Sequence, residues 1–197
     1  MILYLHGFRS SPLSVKARLI GRRLQALGRA EQYLCPQLPA SPKQAMELVL
    51  ALVAAHKLPD PATQLAIIGS SLGGYYATWL AERFGCRAVL LNPAVAPLKA
   101  LEQQVGLHSA YHSDQPFLFR PGYIGELDAF AIDRISRPER YFLLAASGDE
   151  VLDYRTMLAH YRGARQHVIE GSDHGISGFE EYVDQVLGFC GVPDLPR

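Results

Sequence analysis

The chain has 197 residues, enough for one domain with a sizeable core. Its 19 lysines and arginines balance 19 aspartates and glutamates, so no net field draws it to nucleic acid or to an anionic membrane. No stretch approaches the roughly 20 apolar residues that span a bilayer, and the opening MILYLHGF has no basic leader and too short an apolar run for a signal peptide. A soluble, cytosolic protein acting on a small neutral or locally charged molecule is expected.

In chain order, ILYL (2–5) is the first predicted strand. Ser10 and Ser11 as caps and Pro12 in a first turn predict a helix carried by Val15, Leu19, Ile20, Leu24 and Leu27. A strand at QYLC (32–35), a helix from Ala45 to Ala55 and a strand at LAIIG (65–69) follow. Leu72, Tyr75, Tyr76, Trp79 and Leu80 then recur at helical spacing, before a strand at AVLL (88–91). From about Pro97 to Pro138 there is no clear strand, several aromatic residues occur, and two histidines, His108 and His112, stand among them; this stretch reads as an insertion, a lid over one edge of the sheet. Strands at YFLLAA (141–146) and QHVIE (166–170) precede a last helix, about 178–189, with Phe179, Tyr182, Val183, Val186 and Leu187 on one face. Strand runs apolar on both faces, alternating with helices, argue for a compact parallel α/β sheet of about six strands in a single domain over 1–197.

Chemistry is concentrated at LAIIGSSLGGYY, where two serines lie side by side between glycines. A strand turning sharply into a helix can present one side chain at its tip, provided glycines two before and two after remove the clash. Gly69-Ser70-Ser71-Leu72-Gly73 satisfies that frame around Ser71, whereas Ser70 would have Ile68 and Leu72 in the glycine places. The bland alternative is a Gly/Ser turn whose hydroxyls cap the following helix.

A serine hydroxyl attacks poorly unless a base takes its proton and a third group holds the base. The α/β-hydrolase order is Ser, then Asp or Glu, then His, each in a loop after a strand. YFLLAASGDEVLD places Asp149 just past one strand, and HVIEGSDHG places His174 past the last strand and before the last helix. Glu150 and Asp153 compete with Asp149, which is favoured as the first carboxylate after the strand; Asp173 is expected to cap its own loop. The oxyanion would be met by the backbone N–H of Leu72, at a helix N-terminus, and by that of Phe8 in the His6-Gly7-Phe8 loop after the first strand. Tyr75, Tyr76 and Trp79 are expected to pack on the sheet. The three cysteines, Cys35, Cys86 and Cys190, are odd in number and spaced unlike a metal or redox pair, so buried thiols are expected and no metal or organic cofactor is implied.

LYLHGFRSSP, CPQLP, IIGSSLGGYYATWL, LNPAV, GDEVLDYR, VIEG followed by HG, and GFEEY resemble, in that order, the motifs of the small bacterial YqiA/YcfP-like esterases of the α/β-hydrolase superfamily. The resemblance runs over nearly the whole chain and is weakest from about Gln103 to Asp128. It implies the α/β-hydrolase fold, a Ser71, Asp149 and His174 triad with Phe8 and Leu72 as oxyanion donors, and hydrolysis of small-molecule carboxylic esters, with acyl-CoA thioesters as a further class. The basic residues Arg9, Lys16, Arg18, Arg22 and Arg23 follow the oxyanion loop, where a CoA phosphate could bind. The rival readings are an amidase, peptidase or other acyl hydrolase using the same triad, and a silent hydrolase fold acting as a binding module.

Overall fold

The computed structural model describes residues 1–111 and 116–193. His112 lies outside the described residues.

The elements run β1 (Ile2–Leu5), α1 (Val15–Ala26), β2 (Tyr33–Leu34), α2 (Pro42–Ala55), α3 (Pro61–Gln64), β3 (Ala66–Ser70), α4 (Leu72–Phe84), β4 (Arg87–Leu91) and α5 (Leu98–Glu102). They continue with β5 (Gly106–Ser109), β6 (Pro116–Phe119), α6 (Gly122–Asp128), β7 (Tyr141–Ala146), α7 (Tyr154–His160), β8 (Arg165–Ile169) and α8 (Val183–Phe189). Six strands form one sheet in the order β2-β1-β3-β4-β7-β8, each paired parallel to its neighbour. All six predicted sheet strands are therefore present.

Parallel strands need both faces covered, which is why β1, β3 and β7 are buried from end to end. Ala17, Ile20 and Leu24 of α1 and Val183, Val186 and Leu187 of α8 pack on one face with Ile2, Tyr4, Ile68 and Phe142. Met46 and Val49 of α2, Tyr76 and Leu80 of α4 and Met157 of α7 pack on the other with Leu3, Ile67 and Leu143. Parallel winding also brings the C-terminal ends of β3, β7 and β8, and the loops that leave them, to one end of the molecule.

Several local expectations are corrected. α1 begins at Val15 behind Ser14, because Ser11 Oγ instead accepts the N–H of Leu13 in a turn and holds the preceding residues out of the helix. β2 contracts to two residues at the sheet margin, and β8 is half-exposed rather than apolar on both faces. The last helix divides into a 3-10 turn, Phe179–Tyr182, and α8. Cys86 is buried, while Cys35 and Cys190 are partly so; none is in a disulfide.

The stretch 97–138 differs most. It contains an antiparallel hairpin, Gly106 facing Phe119 and Ser109 facing Pro116, between α5 and α6. Its anchors are not on a sheet edge. The Phe8 ring meets Phe117, Phe119 and His108 edge-on, and Tyr111 N–H donates to the Arg9 carbonyl. Glu126 of α6 accepts from Ser41 Oγ and from Lys43 N–H at the start of α2, and Tyr75 of α4 donates its hydroxyl to the Leu127 carbonyl. The apolar side of the segment thus closes over the loop after β1 and over α2 and α4. Tyr75 and Tyr76 are buried as expected, but Trp79 packs edge-on against Phe130 of this segment.

Candidate active site

β3 ends at Ser70 and α4 starts at Leu72, leaving one residue to reverse the chain. That residue, Ser71, has φ 55° and ψ −121°, a conformation that costs a non-glycine residue on the order of 1–3 kcal/mol. Its neighbours hold it there. Ser71 N–H donates to the Leu91 carbonyl at 3.0 Å, and its carbonyl accepts from Gly74 at 2.8 Å and Ala94 at 3.0 Å. The turn is tight enough that a Cβ on Gly69 would lie 2.3 Å from the Gly73 carbonyl oxygen, and one on Gly73 only 2.0 Å from that of Leu5. The glycine frame is therefore a steric requirement centred on Ser71.

The Ser71 hydroxyl does not cap α4. Its Oγ lies 3.1 Å from His174 Nε2, and His174 Nδ1 lies 2.7 Å from Asp149 Oδ2. With Nδ1–H donating to the carboxylate, Nε2 is left free to accept the serine proton. Ser70, by contrast, is buried at the end of β3. The three residues come from loops after β3, β7 and β8, so the parallel sheet does the assembling.

Asp149 has no exposed side-chain surface. Burial by itself would raise its carboxyl; the hydrogen bond with His174 and the N–H groups of Leu152 and Val151, each 2.8 Å from Oδ1, outweigh burial and hold it below the usual carboxylate range. The competitors are occupied otherwise. Asp153 accepts from Arg155 N–H at the start of α7, and Glu150 accepts the backbone N–H of His174 at 3.0 Å. Asp173 accepts from the N–H and hydroxyl of Ser177, the loop cap expected of it.

The loop after β1 borders the same site. A Cβ on Gly7 would lie 3.1 Å from Ser71 Cβ and 3.6 Å from its Oγ. Buried His6 accepts the Leu38 N–H at Nε2, 3.0 Å, which leaves Nδ1–H to donate to the Gly7 carbonyl at 3.0 Å; Ser10 N–H donates to that carbonyl too. In a trans peptide the N–H points opposite the C=O, so fixing the Gly7 carbonyl also fixes the direction of the Phe8 N–H. Leu72 N–H stands at the N-terminus of α4, where the helix dipole favours negative charge.

A cavity of about 500 Å³ opens on Ser71 and His174, lined by Phe8, Leu72, Pro97, Leu101 and Leu152 among apolar groups. Among the described residues of the basic set, Lys16 alone lines it. Arg23 instead holds Asp184 of α8 through two hydrogen bonds, and Arg9 donates to the Ser109 carbonyl. Lys16 Nζ donates to the Gly175 carbonyl at 2.8 Å, beside His174; burial pushes its ammonium down to about 8 against the attraction of Asp173 and Asp149. The bracing roles of His6, Glu150 and Lys16 had no sequence signal, since each depends on a loop distant in the chain. Among the described residues, no group of three His, Cys, Asp or Glu side chains could hold a metal ion, and no helix is long and apolar enough to cross a membrane.

A model of the uncharacterised protein family UPF0227 matches residues 1–191. A UPF0227 protein of Shewanella woodyi is 35% identical over 98 residues, covering 49% of this chain and 52% of the relative, so the matched part spans about half the length of that curated relative. The structure is similar to ferulic acid-bound Est1E from Butyrivibrio proteoclasticus, with TM-score 0.66 and 16% identity over 95% of this chain and 86% of that one. The esterase domain of a Rhodothermus marinus protein gives TM-score 0.65 and 20% identity, over 95% and 84% of the two chains. Mouse alpha/beta hydrolase domain-containing protein 10 gives 0.63 and 18%, over 95% and 89%. At such identities the likeness shows the fold, which is the α/β-hydrolase fold.

Proposed function

The chain belongs to the uncharacterised protein family UPF0227, and from that membership and its α/β-hydrolase fold we propose that it is a serine esterase working through Ser71, His174 and Asp149. The observation that carries this reading is the continuous relay, 3.1 Å from Ser71 Oγ to His174 Nε2 and 2.7 Å from Nδ1 to Asp149.

Ser71 Oγ attacks the acyl carbonyl as His174 Nε2 removes its proton. Asp149 keeps the imidazole in the tautomer that can accept, and stabilises the imidazolium that forms. The oxyanion is received by the N–H groups of Phe8 and Leu72, each worth about 2.7–4 kcal/mol in the barrier. His174 then gives its proton to the departing alcohol or thiol, leaving an acyl-enzyme. Water attacks that ester with His174 again as base, and the carboxylic acid and free Ser71 are regenerated.

The substrate class is a small carboxylic ester, with acyl-CoA thioesters a further class, and each step of this course uses only groups of the chain, the substrate and water. A cavity of about 500 Å³ is within the size of small-molecule sites, and its apolar lining suits an acyl group. The described residues of the segment 97–138 act as the lid, since Pro97, Leu101, Gln104 and Tyr111, in α5 with its N-cap and in the turns on either side of β5, contribute to the cavity wall. An amidase or peptidase would use the same triad, so substrate choice is decided by rate.

Incubation with a fluorophosphonate should give one adduct on Ser71, absent in Ser71→Ala and retained in Ser70→Ala. No adduct on the wild-type protein would leave a silent binding fold as the better reading. A panel of matched esters, thioesters and amides of graded acyl length then ranks the leaving groups.

A further inference from the structure

We propose that Asn92 is a positioning residue that ties the loops of Ser71, Asp149 and His174 into one unit; the inference rests on the triad reading. Asn92 follows β4 directly and is fully buried. Its φ of 44° is one that asparagine tolerates better than most residues. In that conformation its amide makes three hydrogen bonds to three different backbone positions. Oδ1 accepts the N–H of Ala146, the last residue of β7 before the Asp149 loop, at 2.7 Å. Nδ2 donates to the carbonyls of Asp173 at 3.2 Å and of His174 itself at 3.1 Å.

The backbone around Asn92 serves the third loop. The Leu91 carbonyl accepts the Ser71 N–H, and Ala94 N–H donates to the Ser71 carbonyl, so both peptides of the strained nucleophile are held by residues flanking Asn92. Asn92 N–H donates to the Leu144 carbonyl of β7, which fixes the turn to the sheet. One four-residue turn therefore contacts the backbone of the Ser71 and His174 loops and of the end of β7 from which the Asp149 loop leaves, and the Asn92 amide is the part that reaches the last two.

The charged groups facing His174 are Asp149 on its ring, Glu150 on its N–H, Asp173 beside it, and Lys16 on the next carbonyl. None of them replaces the two donors that Asn92 directs at the Asp173 and His174 carbonyls. Losing those donors lets the imidazole move relative to Ser71, and a displacement of about 1 Å can cost on the order of 100-fold in rate.

The test compares wild type with Asn92→Gly, which keeps the positive φ and deletes the amide, and Asn92→Asp, which keeps an acceptor and the shape but leaves at most one donor, the O–H of a protonated carboxyl, for the two carbonyls. Ester kcat and KM, thermal unfolding and the His174 imidazole titration by NMR are read on each protein. Expected is a fall in kcat of on the order of 10- to 100-fold per folded molecule with KM within about twofold. In both variants the His174 imidazole titration also departs from that of wild type, because the loop that carries the ring has lost the Asn92 amide. Lower melting temperatures with wild-type kcat and wild-type His174 titration in both variants would overturn the proposal. Failure of the wild-type protein to turn over any ester would overturn the Ser71 reading instead, while the NMR titration still decides the role of Asn92.

Discussion

Asp149 meets His174 Nδ1 at 2.7 Å with one carboxylate oxygen and holds two backbone N–H groups, of Val151 and Leu152, with the other. The amide introduced by Asp149→Asn can satisfy the two N–H groups with its oxygen, but it then turns its NH2 toward the ring. The ring must accept at Nδ1 and carry its proton on Nε2, where it can no longer take the proton of Ser71. Asp149→Asn should therefore lower kcat by on the order of 10⁴-fold with little change in KM. The same carboxyl titrates below its unfolded value of about 3.9, so its contribution to stability is present above that pH and is lost as pH falls through the lower, folded value. Urea midpoints measured downward from pH 5 should fall more steeply in wild type than in Asp149→Asn.

Gly73 faces the Leu5 carbonyl oxygen at a distance that leaves no room for a methyl group. Gly73→Ala should cost about 3 kcal/mol or more, because the obstacle is backbone and β1 would have to move with its oxyanion loop. Gly125→Ala is the control. Its Cβ meets nothing within 4 Å and it lies inside α6, so it should gain about 0.5–1 kcal/mol from helix propensity. Chemical denaturation of the two variants checks both signs.

Phe8 joins the oxyanion loop to the segment above it through edge-on contacts with Phe117 at 5.0 Å and Phe119 at 5.1 Å between ring centroids. Phe8→Ala keeps the backbone N–H and deletes the ring. It should destabilise by about 2 kcal/mol and loosen the cavity wall, changing relative kcat/KM across acyl lengths more than kcat on the shortest ester. Melting curves and an ester series read the two effects separately.

Lys16 is held beside the His174 loop with its ammonium lowered to about 8. Between pH 8 and the unfolded value of about 10.4 the unfolded chain binds more protons at this site, so stability due to Lys16 rises with pH across that window. Lys16→Met removes this rise. Subtracting the urea midpoints of the variant from those of wild type at pH 8 and pH 10 isolates it from the tyrosines and cysteines that both proteins share.

The six sheet strands were legible because a parallel strand covered on both faces must be apolar throughout, as YFLLAA is. The hairpin at 106–119 escaped detection for the opposite reason. It lies off the main sheet, leaves Leu107 and Leu118 exposed, and contributes inward contacts only through residues such as Phe119. α3 and α7 are too short, at 4 and 7 residues, to show a helical period. The candidate triad was legible in kind and in order, since the glycine frame, the carboxylate after one strand and the histidine after the last are local patterns. Asn92 stands within LNPAV but carries no pattern of its own, because its partners are 54 to 82 residues away.

What the sequence determined by itself is local and steric. Apolar runs specify strands buried on both faces, and two glycines select Ser71 over Ser70 as the one serine a tight turn can present. Only the tertiary structure decided that Ser71 and His174, 103 residues apart, stand 3.1 Å from one another, and that Asp149 rather than Asp153 meets the ring. Those distances arise because parallel strands end on the same side of the sheet, and because backbone and side-chain hydrogen bonds between the loops that leave them hold each loop at a single height. Neither cause can be expressed in the spacing of residues along one chain.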